Sequence, residues 1–210
     1  MGRRLIAVFA PGAVLFGLLA FLAHNNTPLP GDEAVTGWLM GLESPSMDVL
    51  MRAVSFLGDN WPAVVTVAIL ALIMLYKRRR LEALFIISVP ALAGLLNYLM
   101  KHLVDRSRPG ADPLGGGLSF PSGHATYALV FFGFLCFITP RFIKKPLAAR
   151  LVQAVLVMLI ILTGAARIYL GAHWPSDVWG SFIFGGLLLV AAAVIYDNCA
   201  LKEANSAGAA

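Results

Sequence analysis

The chain has 210 residues, 59% hydrophobic and 13% charged, against about 45–50% apolar and about 25% charged in an ordinary soluble domain. A mean hydropathy of +0.80 and so little charge exclude a disordered chain and a nucleic-acid binder, and argue against a plain soluble domain. The net charge of +5 is carried by too few groups to make a broad basic surface, and two cysteines, Cys136 and Cys199, are too few for a disulfide framework.

A membrane-spanning helix needs about 20 mostly apolar residues. Six stretches qualify: 5–23, 61–76, 83–100, 123–139, 147–166 and 178–196. The sequence therefore reads as one all-α, integral-membrane domain over residues 1–210. The first stretch follows Arg3 and Arg4, but its length exceeds the roughly 7–15 apolar residues of a signal peptide, which favours an uncleaved helix. Between the first two spans, Val35, Trp38, Leu39 and Leu42 recur at helical spacing, as do Met47, Leu50, Met51, Val54 and Leu57. These predict two short amphipathic helices at the interface, or a cap packed over the bundle top. The second span is short; Asp59 or Asn60 can cap it, and Lys77 to Arg80 can extend its reach by snorkelling. Gly115, Gly116 and Gly117, before the fourth span, suit either a loop that moves over a headgroup or a merely flexible connection. Residues 202–210 are expected to fray.

Six spans put both termini on one side, and the excess of Lys and Arg marks the cytoplasmic side. With the termini inside, Arg3, Arg4, Lys77, Arg78, Arg79, Arg80, Arg141, Lys144, Lys145, Arg150 and Lys202 are internal. Arg52, Lys101, Arg106, Arg108 and Arg167 remain outside, together with most acids, all four histidines and all four tryptophans. Cations on the side that should be poor in them mark a candidate functional site.

Three clusters meet there. The first runs from Lys101 to Arg108 and Pro109, the second is Pro121-Ser122-Gly123-His124, and the third runs from Arg167 through His173 to Asp177. Lys101, Arg108 and Arg167 suit a dianion, and guanidinium forks match phosphate oxygens. Ser122 and Gly123 open a helix, whose free amides favour an anion, and Gly123 leaves room for close approach. His124 and His173 can divide the roles of general acid and nucleophile, and Asp177 can orient His173. Structural readings stand beside these: Ser122 as an N-cap, Asp177 as a complement to a helix dipole, and Lys101 and Arg167 as charges at helix C-termini. A metal site does not suit the pattern, because no Cys pair, His-x3-His or carboxylate set accompanies the histidines.

These clusters resemble the three-part signature of the type 2 phosphatidic acid phosphatase superfamily: Lys-x6-Arg-Pro, Pro-Ser-Gly-His, and Ser-Arg-x5-His-x3-Asp. The match holds at Lys101, Arg108, Pro109, Pro121, Ser122, Gly123, His124, Arg167, His173 and Asp177, and departs at Ala166, where the family often has Ser. The resemblance implies a cofactor-free, metal-independent phosphatase that passes through phosphohistidine. His173 would attack phosphorus, Asp177 hold its imidazole, and His124 protonate the leaving oxygen. Lys101, Arg108, Ser122, Gly123 and Arg167 would bind the phosphoryl group. The expected substrate is a lipid phosphomonoester or pyrophosphate (phosphatidylglycerophosphate, phosphatidate or undecaprenyl pyrophosphate), met at the outer face of a cytoplasmic membrane. A phosphatase of lipid A, sugar or other non-glycerolipid phosphates shares the motifs. A non-catalytic lipid-binding or lipid-moving protein is the reading from another class. The superfamily's vanadate-dependent haloperoxidases are larger soluble proteins and fit six spans poorly.

Overall fold

The computed structural model describes residues 2–26, 28–109 and 117–208. Eight helices and no strand occur among the described residues: α1 (Gly2–Asn25), α2 (Asp32–Met40), α3 (Pro45–Phe56), α4 (Asn60–Tyr76), α5 (Arg80–Val104), α6 (Gly123–Phe142), α7 (Pro146–Tyr169) and α8 (Pro175–Gly208). Local chemistry sets several boundaries. Ser44 Oγ accepts from Met47 N at 3.3 Å, and Pro45 takes the first position of α3. Ser122 Oγ accepts from Ala125 N at 3.4 Å to cap α6. Pro146 opens α7, and Gly171, at φ +64°, follows its end.

α6 is the central helix. Over half of its apolar stretch is buried, against just over a quarter for α5, α7 and α8, and all three of those helices pack on it. Phe85, Phe131, Phe134, Ile138 and Tyr196 form the main core. α1 lies along α8 and α5, where Phe16 stacks on Phe120 and Phe184. Outside this core, large apolar side chains face outward along the helices, among them Leu72, Leu95, Leu147 and Ile161. An apolar exterior around a packed interior is what a hydrocarbon solvent selects.

By length and composition four helices reach across a membrane: α5, α6, α7 and α8. α3 and α4 qualify as a pair bent by 56°, and the described apolar part of α1, Phe9–Asn25, is shorter. Of the six spans expected from the sequence, four, or five with the bent pair, meet this measure among the described residues. α4, at 17 residues, rises about 26 Å, short of the roughly 30 Å hydrocarbon core.

Three other expectations change. Lys202 to Gly208 continue α8 as helix, with Ser206 Oγ bonded to Lys202 O at 2.9 Å. At 34 residues α8 is about 51 Å long and outreaches the hydrocarbon. Asp59 is the N-cap residue of α4 but bonds no amide there. The bundle-top helices differ from each other. α3 buries Met51 and Val54 against Ala166 and Tyr169 of α7. α2 buries Asp32 and Thr36, packs Leu39 against Ala125, Ile168 and Val178, and leaves Val35, Trp38 and Met40 exposed, so much of its apolar surface faces outward. Trp38, Trp61 and Trp179 all stand outward at this end, as an interfacial belt does. Gly115 and Gly116 lie outside the described residues.

Candidate active site

The three sequence clusters converge at the end of the bundle where α5 and α7 finish and α6 and α8 begin. His173 follows the C-terminal turn of α7, and its backbone N–H bonds Arg167 O at 3.1 Å. Its side chain is 2% exposed and lies with Nδ1 3.4 Å from Asp177 Oδ2. The two atoms are within reach but not aligned as a hydrogen bond. Burial, together with Lys101 and Arg167, outweighs the Asp177 carboxylate and lowers the His173 pKa from 6.5 to about 4. The ring is therefore neutral, and able to act as a nucleophile, through the physiological range.

Cations surround it. Lys101 donates to Leu118 O at 2.6 Å and Ser119 O at 3.2 Å, and it interacts with the charges of Arg108, Asp177 and Arg167. Arg108 Nε donates to Gly117 O at 3.1 Å and Nη1 to Ala172 O at 3.5 Å. Arg167 Nη1 donates to Ser55 Oγ at 2.8 Å, while its buried Nε finds no partner among the described residues. Such a donor suits an anion. Ser122 spends a lone pair on the α6 cap and keeps its proton to donate. A side chain at Gly123 would meet Asn97 Oδ1 at an ordinary 3.6 Å, so internal packing does not demand glycine there; room for a ligand would.

His124, in the first turn of α6, interacts with Arg167 and Arg108. Its Nε2 contacts Asp59 Oδ1 at 2.8 Å. Gly58 makes this approach possible: a Cβ there would lie 2.7 Å from the His124 ring. The other two histidines are elsewhere engaged. His24 Nδ1 contacts Val104 O at 2.8 Å, and His102 packs edge-on against Tyr98.

The arrangement is a neutral buried imidazole, a second imidazole held by a carboxylate, and three cations with spare donors. It is suited to in-line displacement at phosphorus, which needs positioning and charge neutralisation more than covalent help. A profile of the PAP2 superfamily matches residues 82–200, more than half of the chain and all three clusters. The chain belongs to the PAP2 superfamily. Phosphatidylglycerophosphatase B of Bacillus subtilis (strain 168) is 28% identical over 180 residues, covering 83% of this chain and 88% of that protein. The crystal structure of the transmembrane PAP2-type phosphatidylglycerolphosphate phosphatase from Bacillus subtilis superposes with a TM-score of 0.81 at 25% identity, covering 90% of this chain and 96% of the other. Lipid A 1-phosphatase of Rhizobium etli is 30% identical over 129 residues, 56% of this chain and 51% of that enzyme.

Beneath the PAP2 motifs lies a buried ionic network that sequence reading missed. Arg106 is 1% exposed. Its Nη1 donates to Asp177 Oδ1 and Ser176 Oγ, each at 2.7 Å, and its Nη2 to Asp32 Oδ2 at 2.8 Å. Asp32 also accepts from Ser176 N at 2.9 Å, Ser176 Oγ at 2.6 Å and Leu29 N at 3.0 Å. Asp177 accepts in addition from Trp174 N at 2.9 Å. The signal for Arg106 was its place among five cations on the acid-rich side. Asp32 and Asp59 gave none, because an acid at a helix start reads as a cap or dipole partner. Asp32, Ser55 and Asp59 all precede residue 82, where the PAP2 match begins. The departure at Ala166 is explained by packing: it is fully buried against Met51, Val54 and Tyr169, an apolar site that favours a methyl over a hydroxyl.

Two outcomes follow. Arg106→Ala leaves Asp32 and Asp177 buried without their counter-charge, and should cost about 3–5 kcal/mol, read as a lowered thermal midpoint in detergent; an unchanged midpoint would refute the network. A histidine-labelled NMR titration should place the His173 pKa near 4. A value near 6.5 would mean a solvated ring.

Proposed function

We propose that this PAP2 protein is a metal-independent lipid phosphatase. It acts on a phosphomonoester or pyrophosphate headgroup at the outer face of the cytoplasmic membrane, with six spans and both termini inside. In this reading α1 and α4 complete the set of spans, α4 continuing from the bent α3. The carrying observation is His173: a neutral, buried imidazole against Asp177, with Lys101, Arg108 and Arg167 gathered about it.

Asp177 faces Nδ1 of His173, which leaves Nε2 to attack phosphorus. The N–P bond forms as the bond to the leaving oxygen breaks. His124, whose Nε2 is held by Asp59, gives that oxygen a proton from Nδ1. Water then attacks the phosphohistidine, passes its proton to His124, and releases phosphate with both imidazoles restored. Lys101, Arg108, Arg167, the Ser122 hydroxyl and the Gly123 amide hold the three phosphoryl oxygens, and Arg106 keeps Asp177 ionised and in place.

A groove supports a lipid as substrate. It has a volume of about 710 Å³, runs between α4 and α5 along Val64, Val67, Ile87 and Gly94, and ends at Asn97, Gly123 and His124. From Asn97 to Ile87 is ten helical residues, about 15 Å, so a tail lying there places its headgroup at His124. Phosphatidylglycerophosphate, phosphatidate and undecaprenyl pyrophosphate all have this form. Lipid A and sugar-linked phosphates remain the alternative that a substrate panel decides.

In detergent with chelator present, the wild-type chain should release phosphate from at least one of these lipids, and His173→Ala should lower kcat by at least about 10³-fold. Full turnover by that variant would remove His173 as nucleophile, and loss of wild-type turnover with chelator would remove metal independence. Gly94 has nothing within 4 Å of an added Cβ, so Gly94→Leu should fold and fill the groove. KM for a long-tailed lipid should then rise about tenfold, the equivalent of about two buried methylenes, while a soluble phosphomonoester is turned over as before. Equal effects on both substrates would place the tail elsewhere.

A further inference from the structure

A second concentration of cations lies at the opposite end of the bundle, about 30 Å from Lys101 along α5 at 1.5 Å per residue. Arg78, Arg79 and Arg80 from the α4–α5 turn meet Arg141 and Lys144 from the end of α6 around a cavity of about 550 Å³. The excess of basic residues on the cytoplasmic side explains why cations occur at this end. It does not explain why five of them converge on one concavity.

The floor of the cavity is fixed. Glu82 and Tyr196 are buried, and the Tyr196 hydroxyl donates to Glu82 Oε1 at 3.1 Å. Arg79 lies 3.5 Å from Glu82 and stacks over Phe142. Arg141 pairs with Asp197 and lies over the rings of Phe137 and Tyr196, 4.4 and 5.0 Å from their centroids. Two guanidiniums are thus held in place by a carboxylate and an aromatic face each. Arg78, Arg80 and Lys144 have no ion-pair partner among the described residues. Arg78 also sits in the left-handed region at φ +59°, a conformation that a long side chain adopts at some cost. Glu203 is the remaining acid of the lining. Even with Asp197 counted, cations outnumber carboxylates by two. The first turn of α5, Arg80 to Glu82, forms part of the wall, and its N-cap residue Arg79 has no side-chain oxygen for the free amides.

We propose that this cavity is an anion site distinct from the catalytic one, and that it holds a phosphate group. The source the geometry favours is the headgroup of an anionic phospholipid in the leaflet at that end. A pre-fixed pair of guanidiniums, uncompensated cations and helix N-terminal amides together match phosphate oxygens. The cavity also lies where a basic pocket between spanning helices meets lipid headgroups. Occupancy would tie the α4–α5 turn to the ends of α6 and α8.

The test uses the full chain in phosphatidylcholine nanodiscs with increasing fractions of phosphatidylglycerol, reading the thermal midpoint and the lipid adducts in native mass spectra. Arg78→Asn/Arg80→Gln/Lys144→Gln removes the uncompensated charge, and Asn tolerates the left-handed backbone. Lys145→Gln/Arg150→Gln is the control, exposed at the same end but outside the cavity. The wild type and the control should gain stability and retain one bound phosphatidylglycerol. The cavity variant, which lacks three basic residues near the headgroup, should need at least about tenfold more. Its turnover of a soluble phosphomonoester should be unchanged, which checks folding; if the triple variant fails to fold, Arg80→Gln and Lys144→Gln carry the same comparison singly. A parallel titration with inorganic phosphate in pure phosphatidylcholine distinguishes the source: stabilisation lost in the cavity variant there assigns the site to soluble phosphate. Equal losses in cavity variant and control, or no stabilisation of the wild type by either anion, would overturn the proposal.

Discussion

A guanidinium removed from water is tolerated where carboxylates surround it, and Arg106 is held by two of them. Asp177 brings the start of α8, and Asp32 brings the start of α2, to the segment leaving α5. Ser176 bridges the same groups through its amide and hydroxyl. The three segments are far apart in sequence, and the buried charge fixes their relative position more narrowly than apolar contact would. His173 depends on this arrangement, because the carboxylate beside its imidazole is the one that Arg106 grips from the other side. The proposed nucleophile is thus positioned through Asp177 by a residue that touches no substrate.

The helices that carry the chemistry also explain its electrical character. α5 and α7 end at the site, with Lys101 and Arg167 in their last turns, while α6 and α8 begin there with Gly123 and Asp177. Each cation faces a negative helix end and each N-terminus presents free amides. Repulsion among Lys101, Arg108 and Arg167 is offset within the protein by Asp177 and its network, and in the proposed reaction by the phosphoryl group. A dry, crowded setting strengthens these interactions. It also holds His173 neutral, since the charged ring would lose its solvation among neighbouring cations.

The bend between α3 and α4 gives the site its second half. Ser55, Gly58 and Asp59 lie on this corner and reach Arg167 and His124. α3 is held down by Met51 and Val54 on α7, and Tyr169 bonds Asp48. The amphipathic pattern of α3 therefore serves packing, whereas the outward apolar face of α2 suits a headgroup boundary. α4 then descends from the corner beside α5, and the groove between them begins at His124. In the proposed reading, headgroup chemistry and tail accommodation share one corner of the fold.

Much was legible in the sequence because hydrocarbon imposes simple rules. Long apolar stretches gave α5, α6 and α7 to within four residues of their ends, and α8 at its start but not at its end. The few charges, sorted by side, marked one end of the bundle, and the spacing of Lys101, Arg108, His124, Arg167, His173 and Asp177 carried the PAP2 signature. The short α4 was also legible, within one residue at each end, whereas the tail was not: Lys202 to Gly208 are helical although little apolar pattern says so. Asp177 beside His173 and the Ser122 cap were legible from local spacing, but the long-range partners of the motif residues were not. Arg106, Asp32 and Asp59 are ordinary charged residues near helix ends, where a local reading makes caps or dipole partners of them. Their pairing across the fold follows from burial, which leaves a charge no stable choice except the opposite charge that packing brings to it. Composition by itself thus determined the membrane class, and the spaced motifs, through their resemblance to the PAP2 signature, pointed to the proposed chemistry; tertiary structure decided which side chains are held and by what, because burial leaves each charge only the partner that packing brings to it.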